Sequence, residues 1–388
     1  MNKGMKQEGD SQLRAWAHIN LSALKSNLAR VQQCCPNSAI VPVIKSNAYG
    51  HGMNEVAHAI NSSDTNVACC AVASLDEALA LKKLNTCVRV LLLAGFANDD
   101  ELESLLHNGI DFVVHAKYQL NGLEKVLGDA PDVDRVRIWV KLDTGMHRLG
   151  LTEDECLNVF QKLHNHPSIE KLILMSHLAC ADESEGAAAK MTRGQIEQFH
   201  KVRFEIAELV NELPHASLVA SAGILSLTET HYEAVRPGIM LYGGSPFAGK
   251  TGSELSLLPV MTLCSRLVAV KDLAVGDSIG YGATFTCDNK TRIGVVSIGY
   301  GDGYPRAARN GTPVLIRKNG NVVRTRLIGR VSMDMITIDL TGLEEIGVGD
   351  EVILWGEGLP ADEVARNSDT IAYELFCQVT DRVERIYG

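Results

Sequence analysis

SAIVPVIKSNAYGHG, residues 38–52, is the stretch from which the fold can be worked out. Six of the seven residues from Ala39 to Lys45 are apolar or proline, which predicts a short buried strand with a charged side chain at its end. Burial lowers the pKa of an ammonium group and favours the neutral amine, the form that attacks an aldehyde in Schiff-base chemistry. Alternatively, Lys45 extends from the strand end into solvent. These residues alone favour neither interpretation.

Two glycines follow this strand and separate it from a predicted helix. Tyr49 is followed by Gly50 and Gly52, and an amphipathic helix is predicted to begin near Asn54. Glycine lets a backbone come close to a ligand, and a helix N-terminus can hold a phosphate. The stretch therefore suits a bound phosphate compound, although a simple turn would also use these glycines.

Similar apolar runs recur over the first 250 residues, with helical patterns between most of them. The predicted strands are 16–19, 40–44, 68–72, 88–93, 112–114, 136–142, 172–175, 217–220 and 235–241. The predicted helices are one that begins at Asn20 or Ser22, and 76–84, 99–106, 118–127, 153–163 and 192–210. Alternating strands and helices predict parallel βα units. About eight units favour an α/β fold of the (β/α)8 TIM-barrel type over a doubly wound sheet.

Several of these runs end in polar or charged residues, which are Lys45, Lys141 with Asp143, His177, Ser221 and Arg236. The C-terminal strand ends of a barrel share one rim, where active sites are built. We therefore expect these side chains to be neighbours in space.

The pattern changes after Leu241, where a Gly- and Ser-rich connector at 243–255 precedes β-type sequence. The predicted strands are 260–270, 293–298, 313–316, 322–328, 335–340 and 351–355, and the predicted helices are 361–366 and 370–376. Residues 318–321, KNGN, predict a hairpin turn. The sequence thus predicts a polar leader over 1–12, a barrel over 13–250 and a mostly β C-terminal domain over 251–388.

Composition narrows the class of protein. A chain of 388 residues with 46% hydrophobic content is long enough to bury two cores. Its net charge of −10 and the absence of a basic run argue against nucleic acid and anionic membranes as partners. Its ten cysteines include no CxxC pair, which argues against a metal site. Residues 1–12 lack the apolar core of an export signal, so a cytoplasmic location is predicted.

Seven motifs carry a resemblance to one family. VIKSNAYGHG at 43–52 resembles the pyridoxal-phosphate lysine segment of alanine racemases. The later motifs that resemble this family, in its order, are KLDTGMHRLG, SHLACAD, VRPGIMLYG, GYGATF, GYGDGYPR and GRVSMDM. The resemblance implies a barrel followed by a β-domain, pyridoxal 5'-phosphate as cofactor, and a homodimer with shared active sites. It also implies interconversion of L- and D-alanine, which supplies D-alanine for peptidoglycan.

Racemisation needs one base on each face of the substrate Cα, because the proton leaves one face and returns to the other. The resemblance implies Lys45 as one base and Tyr281, from the partner subunit, as the other. It places His177 and Arg236 beside Tyr281, where positive charge favours the phenolate. It also implies that Arg236 donates a hydrogen bond to the pyridine nitrogen, since a guanidinium does not give up its proton. Without the resemblance, Tyr281 would be interpreted as a half-buried tyrosine in a turn.

The remaining site residues also come from the resemblance. The phosphate contacts that it implies are Tyr49, Ser221, Gly238, Ile239 and Tyr373. Ala220 stands where many family members have asparagine, so a contact through that side chain is not expected.

The substrate carboxylate is expected to bind Arg148, with help from the backbone of Met333 in the other subunit. Lys141 corresponds to a lysine that is often carbamylated, and its alternative is an ion pair with Asp143. Tyr300 is expected to line the access path to the site.

Three alternative functions are compatible with the same residues. One is a racemase of broad specificity, and another is a pyridoxal-phosphate decarboxylase of the same fold. The third is a non-catalytic carrier of the cofactor, a class whose chains stop at the barrel. His177 as a metal ligand is disfavoured, because no second ligand occurs at matching spacing.

Overall fold

The computed structural model describes residues 13–84, 88–129 and 135–388, and the predicted polar leader over 1–12 lies outside them. The chain forms two compact units that are interleaved in sequence. The barrel unit comprises Lys25–Ala48 and Met53–Leu241, and the C-terminal unit comprises residues 13–24, Tyr49–Gly52 and Tyr242–Gly388. The N-terminal residues 13–24 thus pack with the end of the chain.

The elements are numbered in chain order. The strands are β1 Ala15–Ile19, β2 Ala39–Ile40, β3 Cys70–Val72, β4 Val90–Leu92, β5 Asp111–Val114, β6 Val136–Lys141, β7 Ile169–Met175, β8 His215–Ser217, β9 Ala234–Val235, β10 Met261–Leu273, β11 Ser278–Ile279, β12 Phe285–Thr286, β13 Thr291–Val296, β14 Pro313–Lys318, β15 Asn321–Arg326, β16 Ile336–Asp339, β17 Glu351–Trp355 and β18 Glu384–Tyr387. The helices are α1 Leu21–Cys34, α2 Met53–Asn61, α3 Leu75–Lys83, α4 Asp99–His107, α5 Lys117–Asp129, α6 Glu153–Leu163, α7 Gly186–Val210, α8 Ser221–Ser226, α9 Ala361–Asn367 and α10 Ala372–Gln378.

The barrel unit is a closed ring of eight parallel strands. Strands β3 to β8 form one parallel sheet in sequence order, and β2 pairs in parallel with β9. Two bridges close the ring. Val43, after β2, pairs with Ala71 of β3, and Ala220, after β8, pairs with Arg236, after β9. The predicted (β/α)8 barrel is therefore confirmed.

Burial explains why these strands are continuous apolar runs. Every residue of β3, β4 and β5 is buried, as expected for parallel strands covered on both faces. The helices between them begin at side-chain caps. Ser74 and Thr152 form capping boxes with Glu77 and Glu155, and Asn98 caps α4. Asn20 caps α1 by accepting from Ala23 N at 2.8 Å, as predicted.

The C-terminal unit is built on a mostly antiparallel sheet. Its strand order is β15-β14-β17-β10-β1-β18, and β13 pairs with both β10 and β16. The first strand of the chain, β1, lies in this sheet, antiparallel to β10 and parallel to β18. The KNGN hairpin turn is confirmed, because Lys318 pairs with Asn321, and Asn319 and Gly320 have φ of 50° and 82°.

Several predicted strands end earlier than expected. The strand predicted at 40–44 is present only at Ala39–Ile40, with one further bridge at Val43. The run 235–241 is a strand only at Ala234–Val235, because Pro237 has no N–H for a ladder and the chain then forms a 3-10 turn at Ile239–Tyr242. Similarly, β8 ends at Ser217 rather than near residue 220. Helix α7 begins at Gly186, before the predicted start at 192, since its first residues are alanines that favour helix without an apolar pattern.

Three classes of feature are missing from the part of the chain that the structure describes. No helix there is long and apolar enough to cross a membrane. No group of three His, Cys, Asp or Glu side chains there could hold a metal ion. The nine cysteines within it form no disulfide, and most of them are buried, which agrees with small hydrophobic residues in a core.

Candidate active site at the barrel rim

Four predicted site residues lie at the C-terminal ends of barrel strands. Lys45 follows Ile44, whose N–H donates to Ala71 O at 2.9 Å beside β3. Lys141 is the last residue of β6, and His177 lies two residues after the end of β7. Arg236 directly follows β9. Because parallel strands share their C-terminal edge, these side chains belong to one rim of the barrel unit.

The charges of neighbouring basic side chains lower the pKa values of two residues on this rim, Lys141 and His177. Burial, followed by the charges of Arg236 and Arg148, lowers the pKa of Lys141 to about 8, and Lys45 acts in the same direction. Burial and the charges of Arg236 and Lys141 lower the pKa of His177 to about 3. The imidazole is therefore neutral at neutral pH, whereas the guanidinium of Arg236 stays charged. Such a concentration of positive charge attracts phosphate and carboxylate groups.

The loop after β6 is folded around Asp143. Its carboxylate accepts hydrogen bonds from Gly145 N at 3.0 Å and His147 N at 3.1 Å, and it lies 3.2 Å from Nδ1 of His147. Asp143 still raises the pKa of Lys141, but by less than burial and the neighbouring cations lower it. This loop leads to Arg148, which is exposed. Asp143 therefore organises the loop that carries Arg148.

Arg236 is held rigidly by the strands around it. Its Nη1 donates to Ser217 Oγ, and its Nη2 donates to the carbonyl oxygens of Ser176 and Leu218, the latter at 3.0 Å. Burial lowers its pKa to about 10, so it remains a cation at neutral pH. Its Nε has no hydrogen-bond partner within residues 13–84, 88–129 and 135–388. These three hydrogen bonds fix the orientation of the guanidinium, and the Nε–H is one of the two donors that they leave over.

A cluster of backbone N–H groups lies between β8 and the end of β9. The Oγ of buried Ser221 accepts from Gly238 N at 3.0 Å and from Met240 N at 3.4 Å. Ala220 provides no side-chain cap for α8. Because the Oγ of Ser221 accepts both of these hydrogen bonds, its own O–H is left to donate, which suits a phosphate dianion.

Lys45 is followed by one turn of left-handed helix. In Ser46–Tyr49 the φ angles lie between 52° and 55°, a conformation that costs roughly 1–2 kcal/mol per residue other than glycine. Within the turn, Ala48 is fully buried and its N–H donates to Ile44 O at 2.8 Å. A turn of this cost persists only where surrounding contacts hold it.

Two side chains to which the sequence motifs gave no role hold this turn. Ser46 N donates to Glu77 Oε1 at 2.6 Å, and Met53 N donates to Asn47 Oδ1 at 2.8 Å. Asn47 therefore caps the N-terminus of α2, where the sequence predicted that a phosphate could bind. The S-x-x-E pattern at 74–77, which is typical of a capping box, is the sequence signal from which a role for Glu77 could have been predicted.

The tyrosines expected to contact phosphate, Tyr49 and Tyr373, lie close together in the C-terminal unit. Their ring centroids are 6.0 Å apart, and Tyr49 also stacks on Tyr242 at 4.8 Å. Burial, followed by the neighbouring Tyr373, raises the pKa of Tyr49, so its hydroxyl stays protonated. Gly50 comes close to Phe376 O, which would lie 2.1 Å from an added Cβ. Gly50 therefore allows a close approach to the backbone carbonyl of Phe376.

Tyr281 lies at the tip of the β11–β12 hairpin in the C-terminal unit. Its side chain is 71% exposed, and Met333 is 53% exposed. The segments of Met333 and Tyr300 are joined, because Gly301 N donates to Met333 O at 2.8 Å. The C-terminal unit thus presents an exposed phenol at a hairpin tip.

Comparisons with known proteins agree with the motifs. The family "Alanine racemase, N-terminal domain" matches residues 19–246, and "Alanine racemase, C-terminal domain" matches residues 260–387. The chain is 45% identical over 376 residues to an alanine racemase of Vibrio vulnificus strain CMCP6, covering 96% of this chain and 99% of that protein. It is 44% identical over 375 residues to an alanine racemase of Vibrio cholerae, covering 96% and 98%.

Solved structures give the same result. The biosynthetic alanine racemase from Pseudomonas aeruginosa has a TM-score of 0.87 and 40% identity, covering 97% of this chain and 100% of that one. Alanine racemase from Acinetobacter baumannii has a TM-score of 0.86 and 36% identity, covering 97% and 100%.

Proposed function

The chain belongs to the alanine racemase family and is an isomerase, and from this premise we propose how its own residues interconvert L- and D-alanine. The observation that carries the proposal is the cationic rim of the barrel unit. Its basic members are Lys45, Lys141, Arg148 and Arg236, and the neutral His177 lies beside them. A site of this charge stabilises a substrate carboxylate, a cofactor phosphate and the negative charge that develops when a Cα proton leaves.

Pyridoxal 5'-phosphate fits the groups present on this rim. When bound, it supplies the electron sink that makes the α-proton of an amino acid removable. Lys45 would hold it through its amine, and Arg236 would donate its unpartnered Nε–H to the ring nitrogen. The proposed phosphate contacts are Tyr49, Ser221, Gly238, Ile239 and Tyr373. The position of Ser221, whose Oγ orders the backbone at Gly238 and Met240, supports them.

Lys45 and Tyr281 are the proposed bases, one on each face of the substrate Cα. A proton taken by the amine of Lys45 on one face is matched by a proton given from the phenol of Tyr281 on the other. A phenol has a reference pKa of about 10 and needs positive charge nearby to act at neutral pH. His177 is neutral there, so we assign that charge to Arg236 and assign His177 a hydrogen-bonding role.

Arg148 would bind the substrate carboxylate through its forked donors, assisted by the backbone of Met333 from the other subunit. Lys141 is the proposed site of carbamylation. Its pKa of about 8 leaves part of the amine neutral near neutral pH, and the neutral amine forms a bond to CO2 and releases one proton. The resulting anion would orient Arg148. A carbamate signal in ¹³C NMR with labelled bicarbonate, absent in Lys141→Met, tests this assignment.

We also propose a homodimer with shared sites, a cytoplasmic location and a role in D-alanine supply for peptidoglycan. The exposure of Tyr281 at its hairpin tip supports the shared site. Tyr300 would line the access path between solvent and the site. These proposals rest on what the alanine racemase family implies for its members.

The direct test is D-alanine formation from L-alanine with and without added pyridoxal phosphate. We expect activity and a visible absorption band of the bound cofactor, and Lys45→Ala should abolish both. Lys162→Ala, on the exposed face of α6, is the control and should change neither. An unchanged spectrum in Lys45→Ala would contradict the cofactor assignment. Equal rates with larger amino acids would favour a broad-specificity racemase, and CO2 release would favour a decarboxylase.

A further inference from the structure

Glu77 connects the start of helix α3 to the backbone beside Lys45. Its Oε2 accepts from Ala73 N at 2.9 Å and from Ser74 N at 3.2 Å, as the acidic member of a capping box. Its other oxygen, Oε1, accepts from Ser46 N at 2.6 Å. One carboxylate therefore caps a helix and fixes the first residue of the left-handed turn.

The barrel unit contains two comparable caps that lack the second contact. Glu101 Oε2 accepts from Ala97 N at 2.8 Å at the start of α4, and Glu155 Oε2 accepts from Thr152 N at 2.9 Å at the start of α6. Within the described parts of the chain, neither carboxylate accepts from a residue beside another barrel strand. Capping of α3 alone therefore does not account for the position of Glu77 Oε1.

The contact with Ser46 completes a clamp around Lys45. On one side, Ile44 N donates to Ala71 O at 2.9 Å, and on the other, Ser46 N donates to Glu77 at 2.6 Å. Ala71 is in β3 and Glu77 is in α3, so one βα unit holds the backbone on both sides of Lys45. The side chain of lysine is flexible, and fixing its backbone limits where the amine can lie.

We propose that Glu77 is a positioning residue for Lys45, which holds the left-handed turn in the conformation that aims the amine at the reacting atoms. This inference rests on the proposed role of Lys45. Glu77 acts only through the backbone of Ser46 and neither takes nor gives a proton. Small displacements of a reacting group reduce the rate strongly, so the effect should appear in kcat.

The test compares Glu77→Gln with Glu101→Gln. Glutamine keeps one carbonyl oxygen but places an NH2 donor where the second oxygen was, so it cannot accept from both Ser46 and the cap of α3. We expect kcat for L-alanine to fall roughly tenfold or more in Glu77→Gln, with little change in KM. Glu101→Gln makes the same change at a cap remote from Lys45, where one oxygen is enough to accept from Ala97 N, and should leave kcat unchanged.

Amide hydrogen exchange of the protein without added cofactor gives a readout that does not depend on activity. Exchange in residues 45–50 should accelerate in Glu77→Gln and stay as in the wild type in Glu101→Gln. If Glu77→Gln does not fold, Glu77→Asp replaces it, because the shorter side chain keeps the charge at α3 but does not span both contacts.

The outcomes separate this inference from the proposed function. Equal kcat and equal exchange in the two variants, with an active wild type, would overturn the role of Glu77. A wild type that does not racemise alanine would overturn the proposed function, while faster exchange confined to Glu77→Gln would still support the clamp.

Discussion

Burial at the barrel rim sets the protonation state of individual residues. Lys141 and His177 both have lowered pKa values, first because they are buried and then because Arg236 lies nearby. Arg236 itself keeps its proton, since a pKa of about 10 is still well above neutral pH. The same surroundings therefore give one fixed cation, one neutral imidazole and one lysine that titrates near the working pH.

Replacing Tyr281 with phenylalanine tests the two-base proposal. The change removes the phenol oxygen but keeps the ring, so one of the two proton transfers should lose roughly 100-fold or more in rate. Exchange of the α-proton in deuterium oxide should fall for one enantiomer much more than for the other. Tyr118→Phe, on α5, is the control. Equal small losses for both enantiomers would contradict the proposal.

His177 should make stability depend on pH. The unfolded chain binds a proton at this residue below about pH 6.5, whereas the folded chain binds it only near pH 3. The free energy of unfolding contributed by neutral His177 is therefore fully present above pH 6.5 and is lost as the pH falls toward 3.

Urea unfolding across that pH range measures the effect. His177→Gln should reduce the slope of the unfolding free energy against pH by at most about 1.4 kcal/mol per pH unit. His58→Gln, at an exposed histidine, should leave that slope unchanged. An identical slope in the wild type and His177→Gln would show that the folded state does not hold this imidazole neutral.

At the scale of elements, the turn Ser46–Tyr49 shows local preference overridden by tertiary contacts. Neither Ala48 nor Tyr49 favours a positive φ, yet both have one. The turn ends at Gly50, whose carbonyl accepts from Arg385 Nε at 2.7 Å in β18. Residues from distant parts of the sequence thus hold a conformation that the turn would not adopt alone.

Gly50→Ala tests how closely this segment is packed. The new Cβ would lie 2.1 Å from Phe376 O at a φ of +79°, so we expect a loss of roughly 2–4 kcal/mol in the free energy of unfolding. Gly342→Ala is the matched control, because its φ is +78° with no atom within 4 Å of the added Cβ. It should cost about 1 kcal/mol. Equal losses of unfolding free energy in the two variants, measured by urea unfolding, would show that the backbone at Phe376 moves away from the new Cβ at little cost.

At the scale of the whole molecule, the two proposed bases belong to different compact units. The cationic rim belongs to the barrel unit, and Tyr281 and Met333 belong to the C-terminal unit. The proposed dimer assigns the phenol of one chain to the rim of its partner. Each chain would then need its partner for activity.

Mixing Lys45→Ala with Tyr281→Phe tests this sharing. Each variant alone should be nearly inactive, but a hybrid dimer has one site with neither change. Random reassembly should therefore restore about a quarter of the wild-type activity. Differently tagged chains show whether hybrids form. Hybrids without activity would place both bases of a site in the same chain.

Local sequence alone determined the elements and their class. Apolar runs alternating with helical patterns predicted the βα units, and KNGN at 318–321 predicted a hairpin turn. These features depend on neighbouring residues, whose side-chain periodicity and backbone preferences are visible in the sequence. The motif at 43–52 indicated Lys45 and the cofactor class only through its resemblance to a family, because its residues alone favoured neither role for the lysine.

Tertiary structure alone decided how distant residues meet. It closed the ring through the pairing of β2 with β9 and placed β1 in the sheet of the C-terminal unit. It also brought Glu77 to Ser46 and made His177 neutral. The physical reason is that burial, long-range hydrogen bonds and the summed field of several charges depend on which segments pack together, and no local pattern records that.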